Sequence, residues 1–249
     1  MSFEGLFTAI YRLYYKEGVR DAFMSDGSLD LPLSDQERGL LERVDQTRLA
    51  TIIELHANDI WAGWYANRFG ASWEALRLIL GFKSNAELVR KLCNSDAFEK
   101  RINDDRFGDA LEAFIFEERL RNPEGFANAP WLADLFEYER LLTREIGDEF
   151  EAALGRFAHR VDHLAQLERP WAKLPKVGKL KGQFLVLVGA SPAFGISEIE
   201  VADELCFAVL SRLLGAERPE EALIAKADKK KLKQLEEECA ELLEEMAEG

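Results

Sequence analysis

His159 and His163 stand four positions apart with Asp162 between them, the one spacing in this sequence that invites a metal-site reading. On a helix such a pair projects from one face, where two imidazoles can begin a ligand set. The rest of a set is missing: His56 is the third and last histidine, and no HExxH pattern occurs. The pair is therefore read as structural, and no metal is assigned to the chain. Nucleophilic chemistry finds no better footing. There is no G-x-S-x-G and no Gly-rich phosphate loop, and Gly189-Ala190-Ser191 lacks the helix that a phosphate site needs. Cys93, Cys206 and Cys239 lie in helical apolar patterns, isolated, with no histidine placed to activate them. No residue is assigned a catalytic role, and the chain is expected not to be an enzyme by itself.

The other chemically loaded stretch is electrostatic. From Arg169 to Ser197 there are five basic residues and no acid, inside a sequence of net charge -14. Lys173, Lys176, Lys179 and Lys181 lead into the apolar run Phe184–Val188, which has the length of a strand. A basic strand followed by helices suits a gripping surface better than a catalytic pocket. The overall acidity argues against a nucleic-acid binder, because phosphate contacts need a surplus of Lys and Arg. The start MSFEGLFTAIYRLYY lacks the features of a signal peptide, and no apolar run approaches the roughly 20 residues that span a bilayer. A soluble, cytoplasmic protein with no membrane association and with reduced thiols is expected.

The elements that must position these residues fall into two groups. The first two-thirds reads as helix throughout, from Phe3, Leu6, Phe7, Ile10, Leu13 and Tyr14 onward. Asp26-Gly27-Ser28 marks a turn. Ser34 and Glu37 form a capping box, a pattern that Ser84 and Glu87 repeat. That second helix is expected to run on toward Ile53, with a break near Asp45. Gly70 and Gly81 bracket a short helix, Asn122–Gly125 is a loop, and Pro130 suits the first residue of the next helix. A last helix is expected from Glu149 to Leu167. Pro170 and Pro175 then mark a linker, followed by two strands (Phe184–Val188, then Ile196, Ile199 and Val201) and three helices. The fold class is mainly α with a small α+β module, divided as a helical domain, 1–168, and a winged-helix-like domain, 169–249. Trp61, Trp64, Tyr65, Phe69 and Trp73 form a dense aromatic group suited to core packing or to docking. The closing helix carries lysines from Lys226 to Lys233, glutamates from Glu236 to Glu248, and a seam of Leu232, Leu235, Cys239, Leu242 and Met246.

Three segments together carry a resemblance. RLYYKEGVRDAFMSDGSLDLPLSDQERGLLERVD, NAPWLADLFEYERLL and QFLVLVGASPAFGISEIEVADELCFAVLSRLLGAERPEEAL resemble, in order and spacing, partner subunits of multinuclear non-heme iron oxidative enzymes that modify ribosomally made peptides. The partner proteins of the 3-thiaglutamate and methanobactin pathways are the nearest in kind. The resemblance implies a heterodimer in which the other chain holds the iron and this one needs no cofactor. It also implies a C-terminal recognition element that captures the leader of a precursor peptide as an added β-strand. An exposed edge would supply backbone hydrogen bonds, and lysines would steer an acidic leader. The peptide-binding residues implied are Lys176, Lys179, Lys181, Phe184, Leu185, Val186, Leu187, Val188, Lys229 and Leu232. Trp61, Trp64 and Trp131 are the expected anchors for the enzyme. A small helical subunit of a ring-cleaving dioxygenase is the alternative, and a winged-helix DNA binder a third that the charge disfavours.

Overall fold

Among the described residues helices predominate, and one small antiparallel sheet of three strands lies in the C-terminal half. The computed structural model describes residues 4–26, 33–45, 48, 51, 52, 55, 61–101, 107–143, 146–215 and 220–248. Two compact units divide the chain, Met1–Asn128 and Ala129–Gly249.

The first unit is helical among its described residues: α1 (Glu4–Tyr15), α2 (Glu17–Asp26), α3 (Asp35–Leu41), α4 (Ala62–Arg68), α5 (Gly70–Ile79), α6 (Asn85–Cys93), α7 (Asp96–Glu99), α8 (Phe107–Arg121) and α9 (Pro123–Ala127). Both halves of the expected capping box form at Ser34, whose side chain accepts from the Glu37 N–H while Glu37 accepts from the Ser34 N–H. The Glu37 carboxylate also accepts from the backbone N–H of Leu6 at 3.0 Å, joining α1 to α3. These hydrogen bonds, foremost that to the Ser34 hydroxyl, hold its carboxyl below the usual range. At Ser84 only half of the motif forms, because Glu87 accepts from Lys83 instead. α3 stops at Leu41, close to the break expected near Asp45, and Arg48, Thr51, Ile52 and Leu55 are helical again; residues 27–32, 46, 47, 49, 50, 53, 54 and 56–60, with the rest of the expected turn and His56, lie outside the described residues. α5 ends where Gly81 adopts φ +72°, with Phe82 N–H bonded to Arg77 and Gly81 N–H to Leu78, a Schellman closure that favours glycine there. Asn122–Gly125, expected as a loop, instead caps and begins α9.

The second unit comprises α10 (Leu132–Leu142), β1 (Glu151–His159), α11 (Asp162–Ala165), β2 (Lys179–Ser191), β3 (Gly195–Glu200), α12 (Glu204–Leu213), α13 (Glu221–Ile224) and α14 (Lys229–Glu248). Pro130 precedes α10 by two residues rather than starting it. The hairpin β2–β3 and the three helices after it follow the expected outline. The helix expected from Glu149 to Leu167 does not exist. Its first part is β1, paired antiparallel with β2 from Glu151↔Ala190 to Phe157↔Phe184, and only Asp162–Ala165 is helical. Ala153, Phe157, Val161 and Leu164 match a helical period, yet the pairing that β2 offers outweighs that local preference. The boundary expected between residues 168 and 169 consequently falls between two neighbouring strands of one sheet.

Helices cover both faces of this sheet. Leu185 and Leu187 share a core with Val201, Val209, Leu210, Cys239 and Met246, on the side of α12 and α14. On the other side the Tyr138 ring of α10 lies 5.9 Å from Phe157 and 6.2 Å from Phe184. Gly155 and Gly189 let these layers close up. A Cβ on Gly155 would meet Leu141 and the Phe157 ring at 2.6 Å, and one on Gly189 would meet Met246 at 2.7 Å.

Candidate functional site

The acid-free stretch enters the sheet at its middle strand. Trp171 anchors the approach, buried with its ring 6.5 Å from that of Trp131. The chain then runs outward, and Lys173, Lys176, Lys179 and Lys181 are all exposed. Among the described residues none of the four pairs with an acid. Other cations of the unit are engaged: Arg156 with Glu204 and Glu220, Arg160 with Glu200 and Asp162, Arg212 with Glu236. The unpaired lysines therefore keep their charge available to a partner.

β2 has two unlike halves. Its pairing with β3 runs from Val186↔Glu200 to Ser191↔Gly195, and the last bond in line joins Val201 N–H to Leu185 C=O at 2.8 Å. On the β1 side the register shifts: Phe157 pairs with Phe184, but His159 pairs with Lys179. The register thus gives Leu180–Gln183 no partner on either side, although this segment stays extended. Lys181, Gly182 and Gln183 are exposed.

The expected edge at Phe184–Val188 is not there. All five side chains are buried, at 4% exposure or less, and from Val186 to Ala190 the strand is paired on both sides. β1 occupies the side that the expectation left open, so these residues form the sheet's interior instead of a reading surface. Of the other residues implied for the peptide, Lys229 is exposed at the start of α14, while Leu232 is half-buried against the α12–α14 core. Trp131 is 1% exposed, its ring against that of Trp171, and presents no surface for an anchor. Trp61 and Trp64 are half-buried in the first unit; Trp61 meets Phe98 edge-on and Trp64 lies under the Arg68 guanidinium. Tyr65 and Trp73 stack at 5.2 Å and belong to the core.

Polar bonds brace the end of the sheet nearest the basic arm. Tyr138 donates its hydroxyl to the Glu198 carboxylate at 2.8 Å, and burial together with that carboxylate pushes its ionisation well up. Arg160 makes a two-pronged pair with Glu200, 2.8 and 2.9 Å, and lies over the Phe184 ring at 4.6 Å. Both β3 acids are thus matched from within the unit. His159 is buried at the end of β1, its Nδ1 2.7 Å from Asp134, whereas His163 is exposed on α11. With a strand end and a helix between them, the two do not share the helical face that the i,i+4 reading required.

One cluster escaped the sequence reading. Cys206 on α12 and Cys239 on α14 approach to 3.7 Å between sulfurs, so two of the three thiols are not isolated. Nothing at a separation of 33 residues signals such a contact; both lie on core-facing stripes, which was the only available hint.

No helix among the described residues is long and apolar enough to cross a membrane. Comparison with protein-family models, with curated proteins and with solved structures finds no match to this chain.

Proposed function

We propose that this chain is a non-catalytic, cytoplasmic partner subunit that binds the acidic leader of a ribosomally made precursor peptide. It presents that peptide to a multinuclear non-heme iron oxidative enzyme with which it forms a heterodimer. The chemistry and the iron belong to the other subunit. The observation that carries the reading is the arm Leu180–Gln183, strand backbone to which the register gives no ladder partner, beside lysines without acid partners among the described residues. An incoming strand would follow the track that β3 leaves at Val201 and pair with this arm. Main-chain hydrogen bonds would give affinity, and Lys176, Lys179 and Lys181 would favour leader carboxylates. On this reading the hairpin and the three helices behind it work as a winged-helix-like recognition element. The helical unit would dock on the enzyme, with Trp61 and Trp64 as its aromatic anchors.

Calorimetry with a synthetic acidic leader tests the binding step. Exchanging Lys176, Lys179 and Lys181 together for Glu should weaken binding by about 5- to 150-fold, since each exposed pair contributes up to about 1 kcal/mol. It should also remove most of the salt dependence. Unchanged affinity in the triple variant would show that the acid-free arm is not the reading surface.

A further inference from the structure

We infer that Cys206 and Cys239 are a redox-active pair that closes reversibly into a disulfide between α12 and α14. The inference is independent of the peptide-binding reading. The two sulfurs are 3.7 Å apart, on different helices, and need to approach to the roughly 2.0 Å of a disulfide. Side-chain rotation and a small shift of α14 supply that movement, because the helix packs on the sheet through side chains such as Met246 and Leu235 and not through backbone pairing.

The pair is asymmetric in the way thiol exchange requires. Cys206 is half-buried, reachable by a small oxidant, and sits in the first turn of α12 with its N–H bonded to Asp203. The Cys239 S–H stabilises its thiolate, which lowers the Cys206 ionisation against the opposing influence of burial, Asp203 and Glu238. Cys239 is buried, with its own ionisation pushed up, and acts second. With a small disulfide such as glutathione disulfide, the Cys206 thiolate attacks one sulfur and expels one thiolate. Cys239 then loses its proton, attacks the Cys206 sulfur and expels the second. Two protein thiols are oxidised to one disulfide, and the reagent is reduced to two thiols. Cys93 takes no part: it is buried in the first unit and its ionisation is pushed up to about 12.

The test uses the full chain, oxidised with glutathione disulfide and read by intact mass and by tryptic mapping without reductant. The expected product is lighter by about 2 Da and restored by dithiothreitol. It should join the tryptic peptides Gly182–Arg212 and Gln234–Gly249. Closing this loop should raise Tm by about 5–15 °C. Cys239→Ser should stop at a mixed disulfide on Cys206, Cys206→Ser should acquire no link, and Cys93→Ser should behave as the parent. The link should form faster in native buffer than in urea, because the fold holds the sulfurs together. Wild-type protein that retains glutathione on Cys206, crosslinks between chains, or closes no faster when folded would overturn the inference.

Discussion

From Val186 to Ala190 the strand β2 is paired on both sides and buried, whereas from Lys179 to Gln183 the same strand has few partners and mostly meets water. The two halves differ first in composition. Val, Leu, Gly and Ala occupy the buried positions between the helices, while Lys, Gly and Gln occupy exposed positions around a half-buried Leu180. One strand thus serves as the spine of a core at one end and as an open arm at the other. A continuous strand does not imply a continuous role, and the change falls at Phe184, where Arg160 and Tyr138 brace the last buried ring.

Substitutions can break this contrast. Leu187→Ala, in the buried half, should cost about 2–5 kcal/mol of stability by urea denaturation, through lost burial and the cavity left behind. A smaller loss would mean that the core around β2 yields more readily than its packing implies. Gly155→Ala probes the same layer from β1. Its added methyl would press on Leu141 and Phe157, and overpacking of this kind should cost about 1–3 kcal/mol. In the open half, Lys179→Glu with Lys181→Glu should change stability by no more than about 0.5 kcal/mol. A larger effect there would show that the arm is structural after all, and the comparison would collapse.

How much of this was legible in the sequence depended on distance along the chain. The Ser34–Glu37 box, the stop at Gly81 and the hairpin β2–β3 are written in neighbouring residues, and all were readable. β1 was not. Ala, Leu, Glu and Arg are good helix formers, and Phe157, Val161 and Leu164 fall on a helical period; the strand exists because β2, more than twenty residues on, supplies its hydrogen bonds. Gly155 inside the segment was the one local sign against a helix. The error about Phe184–Val188 follows from the same miss, since a hairpin without β1 leaves β2 at an edge. The lysines themselves were placed correctly on the surface because their exposure needs no partner.

The position of α14 also bears on the order in which the second unit can fold. β2 and β3 are joined by three residues and can pair as soon as both have been synthesised. Residues 239 and 246 are made after β2, β3 and α12, and until they pack on the same face the strip around Leu187, Val209 and Leu210 lacks its cover. During translation the nascent chain therefore carries a nearly finished sheet with one greasy side still bare. The closing helix ends that interval, so its docking is the step at which aggregation and maturation compete.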